Sequence, residues 1–161
     1  MAPPKQKPGR SKQDYATPPI FLRALKARLN IFDFAIDLAA SDNNFVCKPY
    51  FTEEVDSLKQ SWYPESGKGW AWCNPPFAHL TPWVMKAEWE ARLGAQIALL
   101  CPASTGANWW RDWVHDKAHV LLLNGRLTFV GETAPYPKDT AILLYTNYIK
   151  GGYECWDWRK Q

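Results

Sequence analysis

The stretch AQIALLCP, residues 95–102, constrains the fold of this chain more than any other. It is a continuous apolar run of strand length with no polar alternation, so a strand built from it must be covered on both faces, as in the middle of a parallel sheet. AHVLLLN (118–124) and TAILLYT (140–146) have the same character, and GWAWCN (69–74) and IFDFAID (31–37) read as further buried strands. Helix signals alternate with them. Thr17 is placed as an N-cap with Pro18 at the first helical position, and Ile20, Phe21, Leu22, Leu25 and Leu29 give an apolar face over 18–29. Thr81 and Pro82 repeat that signal for a helix over 82–93, which Gly94 ends. A third helix fits 107–116, a short one fits EEVDSL, and GRLTFVG reads as a further short strand. Strand and helix in alternation predict an α/β fold with a doubly wound sheet. Ligands of such sheets bind beyond the carboxyl ends of the strands, where Asp37 and Asn74 both stand.

The chain of 161 residues is of one-domain length, and with 47% hydrophobic and 22% charged residues it belongs to the soluble globular class. No apolar run is long enough to cross a bilayer and no signal-peptide pattern opens the sequence, so the expected compartment is the cytoplasm. Cys47, Cys73, Cys101 and Cys155 include no C-x-x-C pair, and together with His79, His115 and His119 they lack a zinc-ligand spacing. They read as structural thiols, and no metal is expected. The formal charge is only +3, but residues 1–13 hold Lys5, Lys7, Arg10 and Lys12 with no acid. This Pro-rich segment reads as a disordered basic arm before a single domain over 14–161: either a solvated tail or a contact for nucleic-acid phosphates. Ten tryptophans include Trp83 and Trp89 on one predicted helix and Trp109, Trp110 and Trp113 on another, where core packing is the simpler reading and base stacking the other.

Asn74-Pro75-Pro76-Phe77 ends the 69–74 strand in an order that a turn alone does not need. An exocyclic amine on adenine is a poor nucleophile, because its lone pair is delocalised into the ring. Two acceptors that hold its two N–H groups let the nitrogen become tetrahedral and aim the lone pair at an electrophile. An asparagine side-chain oxygen and the backbone carbonyl of the next residue form such a pair, and prolines at both following positions fix the backbone without a competing N–H. An aromatic ring next in line stacks on the base. The device is preorganised positioning and requires no general base before attack, so His79 reads as a helix-entry residue.

Asn74-Pro75-Pro76-Phe77 resembles the (N/D)PP(Y/F) motif of S-adenosylmethionine-dependent amino methyltransferases. ATPP (16–19), DLAASDNN (37–44), KPYFTEEVDSL (48–58), WCNPPF (72–77), ALLCPASTGANWW (98–110) and NGRLTFVG (124–131) follow in order. Together they resemble the small phage-type DNA N6-adenine methyltransferases (Dam-type) over about residues 14–146. The resemblance implies a Rossmann-like methyltransferase sheet with flanking helices, S-adenosylmethionine as cofactor and DNA as partner. By the same resemblance, Thr17 and Pro18 help hold the methionine part of the cofactor. Asp37, Ala39 and Ala40 belong to its pocket, and Asp56 stands near its adenine. Asn74 and Pro75 accept from the target amine, Pro76 completes the rigid turn, and Phe77 stacks on the target base. Phage origin, host cytoplasm and protection of phage DNA from restriction are implied in the same way.

The chain departs from the wider pattern at two places: the loop after Asp37 has no G-x-G, and Phe77 stands where Tyr is commoner. It is also short for a large target-recognition domain, which leaves sequence specificity to the 60–69 loop, to GRLTF with Arg126 as a phosphate contact or surface-turn residue, or to the termini. Two other functions share these features. One is amino methylation of RNA or of a protein glutamine; the other is a non-catalytic nucleic-acid-binding protein that keeps the methyltransferase fold.

Overall fold

The computed structural model describes residues 15–63 and 68–160. The predicted basic arm, with Lys5, Lys7, Arg10 and Lys12, lies outside the described residues, as do residues 64–67 of the 60–69 loop. Six strands form one sheet: β1 (Ile36–Asp37), β2 (Trp70–Cys73), β3 (Gln96–Pro102), β4 (His119–Leu123), β5 (Thr140–Tyr145) and β6 (Tyr153–Trp156). Their order across the sheet is β1-β2-β3-β5-β4-β6.

The 95–102 run becomes the sheet's centre, as its composition requires. Ile97, Leu99 and Cys101 point into one apolar cluster and Ala98 and Leu100 into a second on the opposite face. On the second face lies α1 (Pro19–Leu29), which buries Phe21, Ala24 and Leu25 against Trp72, Leu100, Leu121 and Ile142. On the first face lie α2 (Thr81–Arg92) and α3 (Asn108–Trp113), with Val84, Ala87, Ala91 and Trp110 buried beside Ala71, Leu99 and Leu143. The result is a mixed α/β arrangement with helices on both faces.

The sheet is not parallel throughout. β1, β2 and β3 run parallel, but β5 enters between β3 and β4 antiparallel to both, and β6 pairs parallel with β4. A strand covered on both faces shows the same unbroken apolar run in either direction, so TAILLYT carried no mark of its reversal. Other expectations also need correction. IFDFAID forms only the two-residue β1, because its first half bends outward and leaves Phe32 fully exposed. GRLTFVG is irregular although Leu127 and Phe129 are buried, and EEVDSL yields one short 3₁₀ turn, Ser57–Lys59. Residues 153–156 form the edge strand β6, which pattern reading missed because only Trp156 of the four is buried.

Helix ends explain themselves locally. Gly94 (φ +109°) ends α2: its N–H reaches the Ala91 carbonyl and that of Ala95 reaches Glu90, the Schellman pairing. Asn30 (φ 54°) ends α1 in the same way, with bonds to Ala27 and Lys26. The predicted caps Thr17 and Thr81 do not cap. Pro18 and Leu80 occupy those positions without side-chain hydrogen bonds, and Thr81 is already helical. The Thr17 hydroxyl is engaged elsewhere, at the site described next.

Candidate active site

Parallel β1, β2 and β3 bring their carboxyl ends to one rim of the sheet. Asp37 pairs with Trp72 and Cys73 with Leu99, which puts Asn74 just beyond the rim in the crevice that such sheets offer to ligands. The Asn74 side chain is anchored from a distant part of the chain. Its Nδ2 donates to the Tyr15 carbonyl at 3.0 Å and to Thr17 Oγ1 at 3.2 Å. Among the described residues nothing donates to Asn74 Oδ1 or to the Pro75 carbonyl. Pro75 is buried, whereas Asn74, Pro76 and Phe77 are half-buried.

Phe77 joins a group of aromatic rings drawn from three segments. Its centroid lies 5.6 Å from Tyr136 in an edge-on arrangement; Tyr136 lies 5.8 Å from Phe129, and Phe129 lies 5.1 Å from Tyr15. Burial and the neighbouring Tyr15 raise the Tyr136 hydroxyl above the ordinary tyrosine range. Tyr15, Phe129 and Tyr136 escaped sequence reasoning. Two cues were available, Tyr15 directly before ATPP and Phe129 inside NGRLTFVG; nothing marked Tyr136 within APYPKD.

A cleft of about 200 Å³ opens beside this group. Leu38, Ala39, Ala40 and Phe51 form apolar walls, Thr52, Glu53 and Asp56 supply polar groups, and Pro76 borders it. The structure thus brings Ala39, Ala40 and Asp56 together with the Asn-Pro-Pro turn. Asp56 holds a left-handed conformation (φ 55°), which aspartate tolerates, and pairs with Lys59 at 3.4 Å. Thr17 and Pro18 do not line this cleft; Thr17 is buried at Asn74.

Asp37 lies beneath the cleft and does not line it. Its carboxylate accepts from the Ala39 N–H at 3.1 Å and the Val46 N–H at 2.8 Å. Its backbone bonds Pro49 and Phe51 on the neighbouring segment. Burial nevertheless outweighs the two hydrogen bonds and raises the carboxyl to about 6. Asp37 is therefore the fixed point from which the Ala39-Ala40 wall is hung.

Arg126 follows β4, whose direction is that of β1–β3, so it stands at the same rim as Asn74. It is exposed and donates to Asp139 at 3.1 Å. A larger cavity of about 480 Å³ lies over α2, lined by Pro82, Met85, Trp89 and Trp113, and contains no residue of the Asn-Pro-Pro-Phe turn. Size does not make it the site, since the acceptors and the rim geometry lie elsewhere. No group of three or more metal-ligating side chains occurs among the described residues, and no helix among them is long and apolar enough to cross a membrane.

Comparison with known proteins adds an independent finding. The family model described as DNA N-6-adenine-methyltransferase (Dam) matches residues 5–143. The DNA N-6-adenine-methyltransferase of Escherichia phage T1 is 30% identical over 115 residues, 71% of this chain and 46% of that protein. That of Haemophilus phage HP1 is 26% identical over 141 residues, 83% of this chain and 79% of that protein. The chain thus spans about half the length of the first relative and most of the second.

Proposed function

The chain belongs to the DNA N-6-adenine-methyltransferase (Dam) family, and from that membership we propose that it transfers a methyl group from S-adenosylmethionine to N6 of adenine in DNA, on a Rossmann-like sheet and in the service of a phage. The observation that carries this reading is the anchored Asn74 amide. With Nδ2 committed to Tyr15 and Thr17, Oδ1 is left to accept, beside the Pro75 carbonyl, to which nothing donates among the described residues. Those are the two acceptors that an amino nucleophile needs.

The cleft beside Pro76 fits a nucleoside in its chemistry. Apolar walls from Leu38, Ala39 and Phe51 suit a planar base, and the Glu53 and Asp56 carboxylates suit sugar hydroxyls. S-adenosylmethionine, when bound, supplies an electrophilic sulfonium methyl group. The chain's own residues do the rest. Asn74 Oδ1 and the Pro75 carbonyl accept hydrogen bonds from the two N6–H groups and direct the nitrogen lone pair at that methyl carbon, and Phe77 stacks on the extruded adenine. With that group bound, the methyl would pass to N6, the C–S electron pair would stay with sulfur, and the methylated nitrogen would release its extra proton to solvent. Arg126 at the rim, and Lys5, Lys7, Arg10 and Lys12 of the arm, neutralise DNA phosphates.

The test is label transfer from methyl-labelled S-adenosylmethionine to unmethylated DNA, followed by digestion to nucleosides. Label in N6-methyladenine is expected, and Asn74→Ala should abolish it while cofactor binding persists. Label found only on RNA or on protein glutamine would replace the proposed substrate. Cofactor binding with no transfer to any acceptor would leave a binding protein.

A further inference from the structure

We propose that Thr17 is a positioning residue for Asn74, and that its hydroxyl together with the Tyr15 carbonyl requires asparagine rather than aspartate at the head of this chain's motif. The proposal rests on the methyl-transfer reading for its effect on rate, and on geometry alone for the orientation of the amide.

The two ends of an asparagine amide have the same shape, so only partners decide which way it faces. The partner at 3.0 Å is the Tyr15 carbonyl, which can only accept, so the end that meets it must be Nδ2. Thr17 Oγ1, at 3.2 Å, accepts the second N–H. Both donors are thereby used and the amide plane is fixed at two points. Thr17 is 6% exposed, which keeps water from replacing its hydroxyl. The short segment carrying both acceptors is itself held: Val130 N–H donates to the Ala16 carbonyl between them, and α1 starts directly after Pro18. Thr17 thus stands one residue before the α1 cap position, which Pro18 occupies, and its hydroxyl serves Asn74 instead of the helix end. An aspartate at 74 would set a carboxylate oxygen against the Tyr15 carbonyl with no proton between two acceptors.

The deciding experiment compares wild type with Thr17→Val, Thr17→Ser and Asn74→Asp in two readouts. In steady-state methylation of DNA, Thr17→Val should lower kcat by roughly 10- to 100-fold, the scale of one unsatisfied buried donor, with KM for S-adenosylmethionine nearly unchanged. Thr17→Ser should recover most of that loss. Asn74→Asp should fall further than Thr17→Val, because a carboxylate at 74 can donate to neither the Tyr15 carbonyl nor the Thr17 hydroxyl. The second readout needs neither cofactor nor DNA: the Asn74 side-chain N–H protons should exchange slowly in wild type and rapidly in Thr17→Val. An unchanged kcat with a raised cofactor KM in Thr17→Val would overturn the proposal in favour of direct cofactor contact. An active Asn74→Asp would overturn the asparagine requirement. If wild type labels no DNA, the proposed reaction fails, and proton exchange alone then decides the anchoring: protection lost in Thr17→Val supports it, and exchange the same in both overturns it.

Discussion

Asp37 has both carboxylate oxygens engaged by backbone N–H groups, yet burial still raises it from 3.8 to about 6. The sign of the consequence runs against that of most carboxylates. Below about 3.8 the group is protonated in folded and unfolded chains alike; between there and about 6 only the folded chain holds the proton. The contribution to stability is therefore complete at the acid end and is lost as pH rises through that window, by roughly 3 kcal/mol for a shift of this size. Asparagine cannot titrate, so the stability of wild type relative to Asp37→Asn should decline between pH 4 and pH 6.5 in urea titrations. A flat difference would mean that the carboxylate is better solvated than its 2% exposure implies. Residues of this kind were legible in part. Asp37, Asn74 and Phe77 declared themselves by standing at the ends of apolar runs. Their partners did not, because Val46 lies nine positions from Asp37, and Tyr15 and Thr17 lie 59 and 57 positions from Asn74. No local pattern carries information over such separations.

At the scale of elements, the sequence was clearest where burial is two-sided and turn chemistry is strict. β3 and α2 fall within a residue of their expected bounds, because an unbroken apolar run and a glycine stop each permit one reading. Direction and edge position were not legible: β5 reads the same reversed, and β6 buries too little to stand out. Gly94 is where this strictness can be tested. Its φ of +109° joins α2 to β3, and a Cβ there would meet the Tyr63 ring at 3.2 Å. Gly94→Ala should therefore destabilise by about 1–2 kcal/mol in chemical denaturation, the cost of forcing a side chain into left-handed backbone. Label transfer below the transition should stay intact, since Gly94 lies at the opposite end of β3 from the rim that carries Asn74. Loss of transfer with unchanged stability would mean that the α2–β3 junction sets the geometry of that rim.

Over the whole molecule, charge and site are divided along the chain. Four of the 19 basic residues lie in the first twelve positions with no acid among them, which leaves 15 basic against 16 acidic side chains in the remainder. That remainder has no net attraction for a polyanion, so the arm is expected to carry most of the non-specific hold on DNA. Each phosphate neutralised contributes about 0.9 to the slope of log affinity against log salt, so losing four contacts should flatten it by roughly 3 to 4. A chain beginning at Asp14 retains Tyr15 and Thr17, and hence both anchors of the Asn74 amide. It should bind DNA more weakly with a shallower salt dependence while kcat at saturating DNA is kept. A chain beginning at Pro18 lacks both anchors and should lose kcat as well. Methylation measured across a salt series with the two shortened chains separates these effects. An unaltered salt slope for the first would put DNA attraction on the rim around Arg126, and an unaltered kcat for the second would remove Tyr15 and Thr17 from the site.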